Sequence, residues 1–129
     1  MPMIHVVSNV DVPEGFEVLY CSNNFHKVQI RLTEIMSEAM DKPKESILVQ
    51  VTANARMVHG AVPGPCAHIW VKSMGHMSGH LNNVYTEKIT TLVNKETGIP
   101  KNKIVIEYYD LHGDYIGFNG ATVSAAAQK

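Results

Sequence analysis

Two stretches decide the fold: Asp41–Val51, DKPKESILVQV, and Gly98–Tyr108, GIPKNKIVIEY. Each closes a segment of helical periodicity, passes through X-Pro-Lys, and enters a β-branched run. The residue before a proline is disfavoured in the helical region, so each X-Pro ends a helix, and the Ile/Val runs that follow favour strands. Their equivalent places in the two halves of the chain read as an internal repeat.

Working outward, four apolar segments read as strands: Met3–Val7 (MIHVV), Ile47–Val51 (ILVQV), Ala67–Lys72 (AHIWVK) and Ile104–Tyr109 (IVIEYY). Two segments read as amphipathic helices. Phe25, Val28, Leu32, Ile35, Met36 and Ala39 follow three-and-four spacing behind Asn24 as N-cap, and Leu81, Val84, Tyr85, Ile89, Leu92 and Val93 do the same, with Gly98 and Pro100 as the stop. The order is β-α-β, then β-α-β. With right-handed crossovers this predicts an α/β (α+β) fold, one four-stranded sheet carrying both helices on one face. Two helices cover one face only. On the other, Leu48 and Val105 stand beside Gln50, Lys72 and Glu107. Closure of that face by other subunits is the favoured reading, and a plain solvated face is the alternative. The reading gives a single domain over residues 1–129. Val10–Asn23 is taken as an inserted loop or short extra element between the first strand and helix, and residues 119–129, small and polar, as a fraying tail.

Composition excludes several classes. The 129 residues hold 11 basic and 12 acidic side chains with no basic cluster, which argues against nucleic acid and anionic membrane as partners. The two cysteines, Cys21 and Cys66, make no disulfide scaffold. No apolar run is long enough to cross a membrane, and the start MPMIHVVSN lacks the charged and apolar regions of a secretory signal. The expected location is the cytosol, or outside the cell by a route needing no leader.

Pro2 follows Met1 directly. Trimming of Met1 would leave a secondary amine at the start of a buried strand. An ordinary α-amino group titrates near ~8 and burial lowers it, which would keep the amine neutral, as a general base must be. Position alone favours a proline that merely permits Met1 removal or starts a strand. His76 and His80, four apart, fit surface or turn histidines better than a metal site, since no third ligand is identified.

The start PMIHVVSNV, the stretch DKPKESILVQV, the segment MVHGAVPGPCAHIWVKSMG and the end IEYYDLHGDYIGFNGATV resemble, in order, the family of macrophage migration inhibitory factor and D-dopachrome tautomerase. The resemblance implies a homotrimer with sites in clefts between neighbouring subunits. It also implies keto–enol tautomerisation of aryl α-keto acids such as phenylpyruvate, and of dopachrome-like compounds, without metal or cofactor. Carried over by position, Pro2 is the catalytic base and Lys42 holds the substrate carboxylate. The backbone at Met74 helps bind substrate, while Ile116 and Phe118 form an apolar and aromatic wall. The family's Tyr-X-Asn, through which a neighbouring subunit completes the pocket, reads here Val105-Ile106-Glu107. That exchange removes a phenol and introduces a carboxylate that would favour a protonated Pro2 and repel a keto acid. The family's Cys-X-X-Cys is broken, with Cys66 followed by Ile69. Two alternatives remain beside the tautomerase. One is a leaderless, cytokine-like ligand of a receptor protein with a weak or vestigial pocket. The other is a relative with different chemistry, such as decarboxylation.

Overall fold

The computed structural model describes residues 1–10 and 17–128, with side chains over 1–10 and 29–128. Strands β1 (Met3–Ser8), β2 (Leu48–Thr52), β3 (Ala67–Ser73) and β4 (Ile104–Asp110) form one sheet in the order β2-β1-β3-β4. β1 runs parallel to β2 and β3 parallel to β4, as two β-α-β crossovers require, and β1 joins β3 antiparallel. Each strand lies within one residue of its sequence-based bounds.

The repeat inferred from X-Pro-Lys is repeated in the backbone. Pro43 and Pro100 both stand extended, with ψ of 144° and 143°, and each is followed by a 3-10 turn, Lys44–Ser46 and Lys101–Lys103. Each turn hands over to an extended isoleucine, Ile47 or Ile104. Proline fixes φ for such an entry and gives up an N–H that no ladder uses there.

Helices α1 (Glu17–Met40) and α2 (Gly79–Thr97) pack against each other and on one face of the sheet. Leu32, Met36 and Met40 from α1 meet Tyr85, Ile89, Leu92 and Val93 from α2 over Ile4, Val6, Ile69 and Val71 of the central strands. Each such buried side chain contributes about 1.5–3 kcal/mol relative to exposure. α2 has clear ends: the Ser78 hydroxyl accepts from the Leu81 N–H at 3.1 Å, and Gly98 closes the helix at φ 76°.

Two expectations are corrected. α1 begins at Glu17, so Asn24 lies inside the helix and caps nothing, and Glu17–Asn23 is helix rather than inserted loop. Residues 11–16 of that loop, and the side chains of Cys21, Phe25 and Val28, lie outside what is described. The tail, too, carries regular structure. Gly117–Phe118 (β5) and Ala121–Thr122 (β6) form a hairpin, and Thr122 caps a short helix, α3 (Val123–Ala127). The hairpin turns on Asn119 and Gly120, both at positive φ (54° and 86°), the pair that a tight two-residue turn demands.

α3 packs against the 3-10 turn Gly113–Tyr115. A Cβ on Gly113 would stand 2.8 Å from Ser124 Oγ, 3.1 Å from Met74 Cε and 3.2 Å from the Ser124 backbone nitrogen. Gly113→Ala should therefore push α3 off its seat at a cost of about 1–3 kcal/mol. Limited proteolysis and thermal unfolding check this: faster loss of the C-terminal residues and a lower Tm are expected, and unchanged protection would show that the turn absorbs the methyl.

Candidate active site

β1 and β2 begin at one end of the sheet, and the antiparallel β3 finishes there. Pro2 is buried at that end, and its carbonyl accepts from the Leu48 N–H at 3.0 Å, tying the start of β1 to the start of β2. Lys42 reaches the same end from the C-terminus of α1. Asp41 adopts a left-handed conformation (φ 53°), and the Lys42 N–H donates back to the Ser37 carbonyl at 3.1 Å. This is the six-to-one closure of a Schellman turn, and it fixes where Lys42 leaves the helix. The chain's amino group, carried on Met1, titrates below the ordinary α-amine value, first because it is partly buried and second because of the Lys42 charge. Lys42 therefore acts electrostatically on the terminus that precedes Pro2.

Met74 follows β3 at the same end. The Leu111 N–H donates to the Ser73 carbonyl at 2.8 Å, and the Gly75 N–H donates to Asp110 Oδ1 at 2.9 Å, locking the turn after β3 to the end of β4. Ile116 is buried beyond that junction, and Phe118 stands on the β5–β6 hairpin, 62% exposed. Pro2, Lys42 and Met74 thus gather at one end of a single chain.

Val105 and Glu107 do not join them. Strand register places three rows on the face without helices: Leu48, Met3, Lys72 and Tyr109; then Gln50, His5, Trp70 and Glu107; then Thr52, Val7, His68 and Val105. Val105 stands at the opposite end of β4 from Tyr109, about 13 Å along the strand. Leu48 and Val105 are 59% and 45% exposed, so the half-apolar face read from the sequence is present and uncovered within the chain.

That face also carries a connected group of side chains that the sequence reading passed over. Glu107 Oε1 pairs with His68 Nε2, and Glu107 Oε2 accepts from the Tyr109 hydroxyl at 2.7 Å. These partners, Tyr109 first, hold the Glu107 carboxyl below its usual range, and the carboxylate in turn raises the Tyr109 phenol. Lys72 Nζ lies 5.6 Å from the centre of the Tyr109 ring. The His68 ring packs on Trp70 at 4.1 Å between centroids, with His5 on the indole at 5.3 Å. Only part of this was available in sequence: His68, Trp70 and Lys72 share one parity of β3, alternating with the buried Ile69 and Val71, whereas their link to Glu107 requires the strand register.

His76 and His80 are both exposed, and no group of three His, Cys, Asp or Glu able to hold a metal occurs among the described residues. Cys66 is buried with a free thiol, and Ile69 belongs to the core. No helix among the described residues is long and apolar enough to cross a membrane.

The macrophage migration inhibitory factor (MIF) family profile matches residues 1–124. The chain is 41% identical over 132 aligned residues to the MIF-like protein mif-2 of Caenorhabditis elegans, with both chains covered in full. It is 30% identical over 125 residues to rat macrophage migration inhibitory factor, covering 95% of this chain and 98% of the rat protein. Among solved structures, the factor from Trichinella spiralis superposes with a TM-score of 0.81 at 21% identity, over 93% of this chain and 98% of that one. The factor from Oncomelania hupensis gives 0.79 at 25% identity, over 95% and 82%. The chain belongs to the macrophage migration inhibitory factor family.

Proposed function

We propose that the protein is a keto–enol tautomerase of the phenylpyruvate or dopachrome type, acting as a homotrimer with Pro2 as general base once Met1 is removed. The observation that carries this reading is the electrostatic setting of the amino terminus: partial burial and Lys42 both disfavour its protonated form. Loss of Met1 moves the amine one residue further in, onto the buried Pro2, where burial acts more strongly.

The chemistry follows from that placement. The neutral Pro2 nitrogen takes a proton from the carbon α to the substrate carbonyl. Lys42 holds the carboxylate, and backbone donors at Met74 support the developing enolate. The Pro2 ammonium then delivers that proton to the enolate oxygen, giving the enol with no net gain or loss of atoms. Ile116 and Phe118 enclose the aryl group. Val105 and Glu107, remote from Pro2 in their own chain, face a neighbour's Pro2 when the open sheet faces meet. The uncovered Leu48 and Val105 favour that assembly, because exposed apolar side chains on a sheet face gain by burial in an interface. Sedimentation should give a trimer at micromolar concentration, and a stable monomer would remove the shared site.

Protein with Met1 retained has an amide at Pro2 and no basic lone pair. It should lack tautomerase activity while remaining folded and trimeric, and protein shown by intact mass to begin at Pro2 should be active. A general-base step is typically worth ~10²–10⁴-fold. Equal rates from the two samples would take Pro2 out of the mechanism. A trimer inactive in both forms would favour the cytokine-like reading, with the pocket vestigial.

Lys42→Ala should raise KM for a keto acid more than it lowers kcat, because the carboxylate is held in ground and transition states alike. It should also move the rising limb of the pH–rate profile to higher pH. Removing a nearby positive charge lets the amine keep its proton longer, and the base works only when neutral. An unchanged KM with an unmoved profile would show that Lys42 serves neither role.

A further inference from the structure

In the shared pocket proposed above, Glu107 would stand beside a base that must stay neutral and a substrate that is an anion. A free carboxylate there would pair with the Pro2 ammonium and repel the keto acid. In this chain neither carboxylate oxygen is free. Oε1 is taken by His68 and Oε2 by Tyr109, and both partners come from the same subunit. The His68 backbone pairs with Val105, one pleat from Glu107, so the imidazole crosses from β3 to β4 on the open face. The ring is itself fixed by Trp70, and with Val105 it lines a cavity of about 270 Å³ roofed by Met57, Val58 and His59. The pair therefore borders the surface that Val105 and Glu107 turn towards a neighbour.

We propose that His68 is a positioning and specificity-determining residue: its ring, with the Tyr109 hydroxyl, holds the Glu107 carboxylate within its own chain and sets the charge that this chain presents to the neighbour's Pro2 pocket. The inference rests on the shared-pocket reading above and deepens it. With the imidazole protonated, His68 and Glu107 sum to zero and the pocket admits an anionic keto acid. With the imidazole neutral, one negative charge remains and the anion is penalised, whereas a substrate without a carboxylate is not. Among the described residues, the other titratable or charged groups around this pair are Tyr109 and Lys72 beside it, His5 across Trp70 on β1, and His59 in the cavity wall. The His59 carbonyl is held by Lys103 Nζ at 3.2 Å. β2 contributes Gln50 and Thr52 to this face, neither of them titratable, and Thr52 Oγ1 is hydrogen-bonded to His5 Nε2 at 3.0 Å.

The test uses trimmed full-length protein and the ratio of kcat/KM for an aryl keto acid to that for its methyl ester, between pH 5 and pH 8. Titration of Pro2 affects both substrates and cancels in the ratio. For the wild type the ratio should fall about threefold to tenfold as pH rises, the size expected for one charge some way from the substrate carboxylate. His68→Gln keeps a hydrogen-bonding group without the charge, and should flatten the ratio at its high-pH level. Glu107→Gln should keep the fall but raise the ratio at both ends, because the imidazole then takes the local charge from one positive to zero. His5→Asn and His59→Asn should leave the fall in place. A ratio still falling in His68→Gln, or a fall that disappears with His5 or His59, would overturn the assignment. Carbon-13 NMR of the Glu107 carboxyl gives a reading independent of activity: His68→Gln should leave the carboxylate less well held, raising its titration midpoint, and an unmoved midpoint would also overturn the pairing. A wild type inactive on both substrates would instead sink the tautomerase reading, while the carboxyl titration would still report on His68 and Glu107.

Discussion

The antiparallel pairing of β1 with β3 is the constraint on which the rest depends. Each β-α-β unit supplies its own parallel pair, but the six partners from Met3 opposite Lys72 to Ser8 opposite Ala67 join the two units into one sheet. That register puts Ile4, Val6, Ile69 and Val71 together under the helices, and Met3, His5, Trp70 and Lys72 together on the other face. A slip of β3 by one residue would exchange its two faces, burying Lys72 and exposing Ile69 and Val71. Ser8 and Asn9 secure the seam's far end. The Ser8 hydroxyl donates to the Cys66 carbonyl at 3.0 Å, and the Cys66 N–H donates to Asn9 Oδ1 at 2.8 Å.

The same register decides what meets at the near end. Because β3 opposes β1, the finish of β3 lies beside Pro2, so the turn after Ser73 and the chain after Asp110 are delivered to the amino terminus. The parallel β2 brings Lys42 through the tight end of α1. None of these groups is close to another in sequence. Burial and a neighbouring cation act on the terminal amine because three separate chain ends converge there, and both push it towards the neutral form.

The strands and α2 were legible because their signals are local: β-branched runs, three-and-four spacing from Leu81 to Val93, and Gly98 and Pro100 behind it. The start of α1 was not. Ser22, Asn23 and Asn24 look like cap residues, since their short polar side chains compete for backbone hydrogen bonds, yet a helix already under way can run through such a cluster. The tail was misread on composition, although Asn119-Gly120 between Phe118 and Ala121 is a hairpin signal. Position alone gave Lys42 no role and favoured the plain reading of Pro2, and resemblance shifted that balance for both. The group around Glu107 needed the register, because nothing in one dimension says that residue 68 stands near residue 107.

That group also bears on why a carboxylate is tolerated where the family usually has Asn. An unpaired charge on a sheet face would be costly if an interface covered it, since an interface removes the water that screens it. Glu107 avoids this by carrying its partners with it: the imidazole of His68 on one oxygen, the phenol of Tyr109 on the other, and the Lys72 ammonium over the phenol ring. Electrostatically the group is a short chain of alternating donors and acceptors, with both ends on β3 and its middle on β4. It closes over the β3–β4 seam as the antiparallel ladder closes the seam between the repeats. A carboxylate whose two oxygens are satisfied within its own subunit can face a neighbour without demanding a cation from it. What it presents on that face then depends on the hydrogen bonds that His68 and Tyr109 make to it.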